Sequence, residues 1–170
     1  MLRCLLLGSS LLLSACSITP SEPNHSALAE IDMQLGLQDL NQHQPLAAKA
    51  ELLQALTLAP QNAEIHAAWG YYLENTGAIA AASAAYAQAL NLAPQNPQLV
   101  DEYAVFLYRQ GQYQTALHYF LKAAGHPTYL YTAVAYQNAS LAAAKLGDQI
   151  AARKYRQQAL QGLPDLTTGS

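Results

Sequence analysis

The sequence predicts an all-α protein built as a superhelix of about four stacked helix-turn-helix repeats. The residues LAPQN at 58–62 return letter for letter at 92–96, an offset of 34 residues (96 minus 62). Small and large apolar residues keep the same step, as shown by Ala48, Ala82 and Ala116 and by Leu52, Tyr86 and Phe120. A fixed period in this range, filled by apolar residues at helical spacing, indicates stacked helical hairpins.

Local signals place the helices within each period. The first helix is expected from about residue 26, and Pro45 is expected to begin the second. Later helices are expected at 63–75, 79–91, 97–109 and 113–124. Asn62 and Asn96 suit the N-cap position, and Pro97 suits the first helical turn. Gly125 is expected to end the sixth helix in the left-handed conformation.

The repeat register slips once. Gly111 to Gly147 is a step of 36 residues (147 minus 111), so the junction at 125–131 carries two extra residues. In the fourth repeat Arg156 occupies the large apolar position, and we expect Tyr155 beside it to fill the space. Polar substitutions in a terminal repeat are typical of the exposed end of a solenoid. Residues 165–170 are expected to be a disordered tail.

The residues at this period match the pattern of the tetratricopeptide repeat, a helical hairpin of 34 residues. The small residues in that pattern have a mechanical role, since Gly36 and Gly70 let the two helices of a hairpin approach closely. The domain of repeats is expected to span residues 26–164.

The first fifteen residues read as a lipoprotein signal peptide. Arg3 supplies a positive charge, and two leucine triplets supply an apolar core that is shorter than the ~20 residues of a membrane span. Residues 13–16, LSAC, resemble the lipobox of bacterial lipoproteins, which implies cleavage before Cys16 and acylation of Cys16, including palmitate. The alternative is an ordinary signal peptide with an incidental cysteine. Residues 16–25 are expected to form a flexible tether, and Ser17 favours the outer membrane.

Composition disfavours several classes of function. Only 11% of residues are charged, the formal net charge is −3, and the few basic residues form no extensive patch, so nucleic-acid binding is disfavoured. None of the five histidines stands at metal-ligand spacing to another. Asp101 and Glu102 are adjacent on one helix, which predicts a solvated helix start and not a catalytic pair. We therefore expect no enzymatic activity, no metal, no cofactor and no small-molecule substrate.

The sequence is unusually rich in tyrosine, with eleven tyrosines and two phenylalanines. Counted from the repeat start, several residues of the first helix in each hairpin are expected to face a concave groove. An apolar-to-aromatic groove with few charges suits a partner's apolar segment. The alternative is that these side chains only complete packing between neighbouring helices. The candidate groove residues are Met33, Leu37, Leu40, Tyr71, Asn75, Val105, Tyr108 and Arg109, with Ala67 and, in the fourth repeat, Gln137, Leu141 and Lys145.

A narrower resemblance rests on residues 103–113, on the junction with Pro127 and Tyr129, and on the helix at 135–141. This segment resembles the type IV pilus biogenesis and stability proteins called PilF or PilW, which carry a similar longer junction. The resemblance spans about residues 30–162. Gln137 and Ser140 depart from it, and that family usually has about six repeats where four are expected here.

The resemblance implies a pilotin, which is an outer-membrane lipoprotein anchored by lipid on the periplasmic face. Its partner would be the secretin subunit of the type IV pilus, which it would bind and stabilise for multimerisation. The alternative is a general periplasmic tetratricopeptide lipoprotein that scaffolds cell-envelope enzymes.

Overall fold

The computed structural model describes residues 24–161, which form eight α-helices in consecutive antiparallel pairs. The predicted signal peptide with Cys16, nearly all of the predicted tether and the predicted tail lie outside the described residues. The helices are α1 His25–Asn41, α2 Pro45–Leu58, α3 Ala63–Asn75, α4 Ile79–Leu92, α5 Pro97–Arg109, α6 Tyr113–Ala124, α7 Thr132–Lys145 and α8 Gln149–Gln161.

The hairpins stack so that the first helices of successive pairs are neighbours. The helix α3 contacts both α1 and α5, and α5 also contacts α7. The odd-numbered helices therefore form one continuous wall, while α2, α4, α6 and α8 each pack against the helix before them. This is the predicted superhelix of four hairpins.

Asparagine caps fix the helix starts in the second and third hairpins. The Asn62 side-chain oxygen accepts from the backbone N–H groups of Glu64 at 2.9 Å and Ile65 at 3.2 Å. Asn96 repeats this arrangement at the start of α5, with Pro97 in the first turn. These bonds satisfy donors that the first helical turn leaves unpaired. Both predicted caps are confirmed.

The turn inside each hairpin requires a positive φ. Gly77, Gly111 and Gly147 have φ of 80°, 75° and 83°, and His43 holds the corresponding position of the first hairpin with φ 58°. Glycine has no Cβ to clash in this conformation, whereas histidine adopts it at a cost. The expectation for Gly125 is wrong, because its φ is −78°. Gly125 lies between hairpins, where His126 N–H bonds back to the Ala123 carbonyl and the chain continues in a right-handed turn.

Two large apolar clusters fill the superhelix. The first joins α1, α2 and α3 around residues such as Leu52, Ile65 and Tyr72. The second joins α3 to α7 around Tyr86, Phe106 and others. A smaller third cluster holds the 125–131 junction against α5, α6 and α7. Leu73 packs against both large clusters, so the core is continuous along the array.

Close helix contacts explain the small residues of the pattern. A Cβ on Gly36 would lie 2.7 Å from Leu52 Cγ, and one on Gly70 would lie 3.0 Å from the Tyr86 ring. Both distances are shorter than ordinary carbon contacts. In the fourth hairpin Arg156 is exposed, while the half-buried Tyr155 packs against the second cluster, as predicted. Within residues 24–161 no helix combines the length and apolarity needed to cross a membrane.

Candidate partner-binding groove

A groove of about 380 Å³ opens on the wall of odd-numbered helices, across α1, α3 and α5. Its lining combines apolar side chains with three carboxylates and amides. The lining residues are Met33, Gln34, Leu37, Glu64, Ala67, Ala68, Tyr71, Tyr86, Asn96, Gln98, Leu99, Asp101, Glu102, Val105 and Arg109.

Six of the predicted groove residues line this groove, namely Met33, Leu37, Ala67, Tyr71, Val105 and Arg109. Leu37 and Tyr71 are half-buried, so each presents an apolar or aromatic surface to the opening. Met33 is only 6% exposed and belongs to the first apolar cluster. Met33 was expected to project from the inner wall into the groove. This expectation is wrong, because most of its side chain is buried in the first cluster.

Tyr108 lines an adjoining depression of about 150 Å³, together with Val105, Arg109 and Leu141. This depression lies between α5 and α7 and extends the apolar wall into the fourth hairpin. Tyr108 also meets Tyr113 edge to face, with ring centroids 5.2 Å apart. Tyr108 and Leu141 thus lie in a second recess that shares Val105 and Arg109 with the groove.

Leu40 and Asn75 are not among the residues that line either recess. Leu40 is half-buried and packs against the first apolar cluster. Asn75 is exposed, and its side-chain amide donates to the Tyr71 carbonyl at 2.8 Å within the end of α3. Asn75 holds the repeat position of Arg109, but only the arginine side chain reaches the lining.

Three carboxylates in the groove are features that the sequence interpretation did not assign to it. Asp101 was expected to be solvated, but it is only 8% exposed and its Oδ1 has no hydrogen-bond partner among the described residues. Burial raises the pKa of the Asp101 carboxyl to about 6. The expectation is wrong because the carboxyl is desolvated by burial, while Tyr129, from the junction before α7, faces it and opposes part of the pKa shift.

Glu102 and Glu64 complete the acidic part of the groove. Desolvation by burial raises the pKa of Glu102, and the charges of Glu64 and Asp101 raise it further. A hydrogen bond from the Gln98 amide to Glu102 Oε1, at 3.1 Å, opposes that shift. No positively charged side chain in the described part of the chain contributes to the pKa shift of Asp101 or of Glu102.

The one ion pair among residues 24–161 bridges α3 and α5. Arg109 Nη1 lies 3.4 Å from Glu74 Oε2, and Glu74 is nearly enclosed whereas Arg109 is half-exposed. The pair engages the arginine of the groove lining and joins the ends of α3 and α5. Within the same residues no group of three His, Cys, Asp or Glu side chains is placed to hold a metal ion.

Comparison with known proteins rests on solved structures, since no protein-family model and no curated protein sequence matches the chain. YrrB, described as a tetratricopeptide-repeat protein with an unusual peptide-binding site, matches with a TM-score of 0.64 at 19% identity, over 83% of this chain and 72% of that one. The fold is the tetratricopeptide-repeat superhelix. The repeat pattern of the sequence predicted this fold correctly.

Two other tetratricopeptide-repeat matches have higher TM-scores. PilF of Pseudomonas aeruginosa matches with a TM-score of 0.77 at 25% identity, over 81% of this chain and 62% of PilF. PilW, described as a widely conserved type IV pilus biogenesis factor, matches with a TM-score of 0.74 at 24% identity, over 81% of this chain and 63% of PilW. The chain therefore spans less than two thirds of the length of either.

Proposed function

We propose that this protein is an outer-membrane lipoprotein that binds and stabilises the secretin subunit of the type IV pilus during multimerisation. The observation that carries the proposal is the match to PilF at a TM-score of 0.77, accompanied by the match to the pilus biogenesis factor PilW. The lipobox-like residues ending at Cys16 support the membrane anchor, and the concave groove supports a protein partner.

In this proposal the lipid and the groove have separate tasks. A lipid on Cys16 keeps the protein at the periplasmic face of the outer membrane. The nine residues 16–24 precede α1, and a fully extended chain of that length reaches about 30 Å. The groove would thus act close to the membrane surface, where it could cover an apolar segment of the secretin subunit before assembly.

Binding of this kind needs no catalytic group. Leu37, Tyr71 and Val105 offer apolar and aromatic surface in a preformed concave site. Burying a partner's apolar side chain there contributes about 25 cal/mol for each Å² removed from water. The role we propose is therefore that of a non-enzymatic assembly factor.

The test charges the groove at two residues that are only partly buried, although each also packs against one of the large apolar clusters. In the variant Leu37→Glu with Tyr71→Glu, two half-buried lining residues become carboxylates. Covering them with an apolar partner would cost several kcal/mol, which lowers affinity about a hundredfold or more. We expect a cooperative helical fold by circular dichroism, but fewer secretin multimers on a gel and fewer surface pili.

Leu52→Glu is the contrasting control, because Leu52 is fully buried between α1 and α2 and its replacement should unfold the first hairpin. Normal secretin assembly by the double variant would show that the groove is not the binding site. Unfolding of the double variant, like that of Leu52→Glu, would show that Leu37 and Tyr71 are required for the core.

The alternative is a general adaptor that scaffolds cell-envelope enzymes. The match to YrrB, which is described as having a peptide-binding site, is in keeping with this alternative. Affinity purification from detergent-solubilised membranes separates the two. Recovery of secretin supports the pilotin role, whereas recovery of cell-wall enzymes without secretin supports the adaptor.

A further inference from the structure

The carboxylates of the groove form an acidic site without a cation. Glu64 comes from α3, and Asp101 and Glu102 come from α5, so two neighbouring helices bring them to one lining. Arg109, the cation of that lining, is engaged by Glu74 through the ion pair across α3 and α5. None of the three carboxylates therefore forms an ion pair with a side chain of the described residues.

Asp101 is the carboxylate of this site that lacks a hydrogen-bond partner among the described residues for one of its oxygens. The residue is more than nine-tenths buried, and its Oδ1 accepts no hydrogen bond within residues 24–161. A buried polar atom without a partner costs about 1–3 kcal/mol, and more when the group is charged. Tyr129 faces this carboxyl from the junction, and Asp101 also lines the groove, so a donor that enters the groove can complete the carboxyl only from the groove side.

Apolar surface adjoins the acidic site. Leu37 and Tyr71 lie in the same groove, and Val105 connects it to the recess that holds Tyr108 and Leu141. A ligand that filled both parts would need a positively charged group next to apolar groups.

We propose that the groove binds a peptide segment whose lysine or arginine side chain enters the Glu64–Asp101–Glu102 site, while flanking apolar side chains cover Leu37, Tyr71 and Val105. This deepens the proposed function, on which it rests, by giving the chemistry of the partner segment. Ammonium and guanidinium groups carry several N–H donors and no acceptor, which suits carboxylates that need donors.

The net charge acts in the same direction. The formal charge of −3 favours the approach of a cationic segment, and the effect weakens as salt screens it. Closure of the groove over the cation would also strengthen each ion pair, since the partner displaces water from the carboxylates.

The test selects ligands without assuming which protein supplies them. The full chain in detergent micelles is used to pan a random twelve-residue peptide library displayed on phage. We expect the selected peptides to share a lysine or arginine beside large apolar residues. In a selected peptide that carries arginine, replacing this arginine with citrulline keeps the shape of the side chain and removes its charge. This replacement should weaken binding at least tenfold.

Matched protein variants locate the cation. Glu64→Gln with Glu102→Gln removes two charges from the groove and should weaken the selected peptides about tenfold or more, while Glu51→Gln on α2 should leave affinity unchanged. Circular dichroism checks that the double variant keeps its fold. Selection of peptides without a cation, selection of no peptide, or full affinity of the double variant would each overturn the proposal.

Secretin multimers, measured in cells that carry the same double variant, provide a separate readout. If the peptides behave as expected while multimers remain normal, the cation site stands and the secretin is not its partner. If multimers depend on Leu37 and Tyr71 but the selected peptides carry no cation, the proposed function stands and the cation site falls.

Discussion

The Ser140 hydroxyl donates a 2.8 Å hydrogen bond to the Ala152 carbonyl, joining α7 to α8 in a fully buried contact. Ser140 holds the position that Gly36 and Gly70 hold in the first two hairpins and Ala104 in the third. A Cβ would lie 2.7 Å from Leu52 at Gly36 and 3.0 Å from Tyr86 at Gly70, whereas in the fourth hairpin the exposed Arg156 stands at the position of that large apolar residue. The fourth hairpin thus replaces apolar contact with a polar bond.

Ser140→Ala should therefore lower the free energy of unfolding. The change removes one buried hydrogen bond, which contributes about 0.5–1.5 kcal/mol, and Ala104 shows that alanine fits at this repeat position. Urea denaturation followed by circular dichroism measures the loss. Ser26→Ala, at an exposed position of α1, should be neutral. Equal stability of Ser140→Ala and the unchanged protein would contradict a stabilising role for this bond.

Gly70→Leu should destabilise the array by overpacking. A Cβ at Gly70 already lies 3.0 Å from Tyr86, and the remaining leucine atoms would force α3 and α4 apart. Overpacking of this kind costs about 1–3 kcal/mol, and because each repeat supports its neighbours, the melting temperature of the whole array should fall. Ala81→Leu on the exposed face of α4 is the control. An unchanged melting temperature for Gly70→Leu would be incompatible with this close contact.

Asp101→Asn should stabilise the free protein at pH 7. The pKa of Asp101 is raised from 3.8 in the unfolded chain to about 6 in the fold, so the folded state disfavours the ionised form. This penalty grows as the pH rises from about 4 to about 6, and a non-ionising amide avoids it. We expect the variant to gain about 1 kcal/mol at pH 7, after solvent screening, and nothing below pH 4.

Chemical denaturation at pH 4 and pH 7 measures that difference. Tyr129 from the junction, Glu64 from α3 and the neighbouring Glu102 are the titratable groups around this site, and the variant leaves all three in place. A variant that is no more stable than the unchanged protein at pH 7 would show that Asp101 is not penalised by burial. If the cation site exists, the same variant should bind the selected peptides more weakly, which is a trade between stability and recognition.

Cys16→Ala tests the proposed anchor. Without the thiol no lipid can be attached, so the protein should leave the membrane fraction and collect as soluble periplasmic protein or as the uncleaved precursor. Fractionation with immunoblotting measures the distribution, and Ser17→Ala, one residue later, should stay with the membrane. A Cys16→Ala protein of mature size that remains fully membrane-bound would refute lipidation at this position.

Sequence alone predicts the repeated parts of this molecule well, because their signals are local. The expected helices 63–75, 97–109 and 113–124 agree with α3, α5 and α6, since caps at Asn62 and Asn96 and the glycine turns fix them. Counting from the repeat start also located Leu37 and Tyr71 in the groove.

The remaining features depend on contacts that the period does not encode. Asp101 is buried and faces Tyr129, which belongs to the longer junction and has no counterpart in the other repeats. Leu40 and Asn75 obey the count, but Leu40 packs against the first cluster and the Asn75 amide bonds to its own helix, so neither lines the opening. Met33 lines the groove with only a small fraction of its surface, because most of it fills the first cluster.

The division of the core at α3 has a mechanical consequence. Leu73 ties the two large clusters together, but α1 and α2 pack mainly within the first of them. A pull applied through the residues before α1 would load that hairpin first, and it could peel away while α3 to α7 stay folded. The acidic site, built on α3 and α5, would then remain intact under tension that had already stretched the N-terminal hairpin.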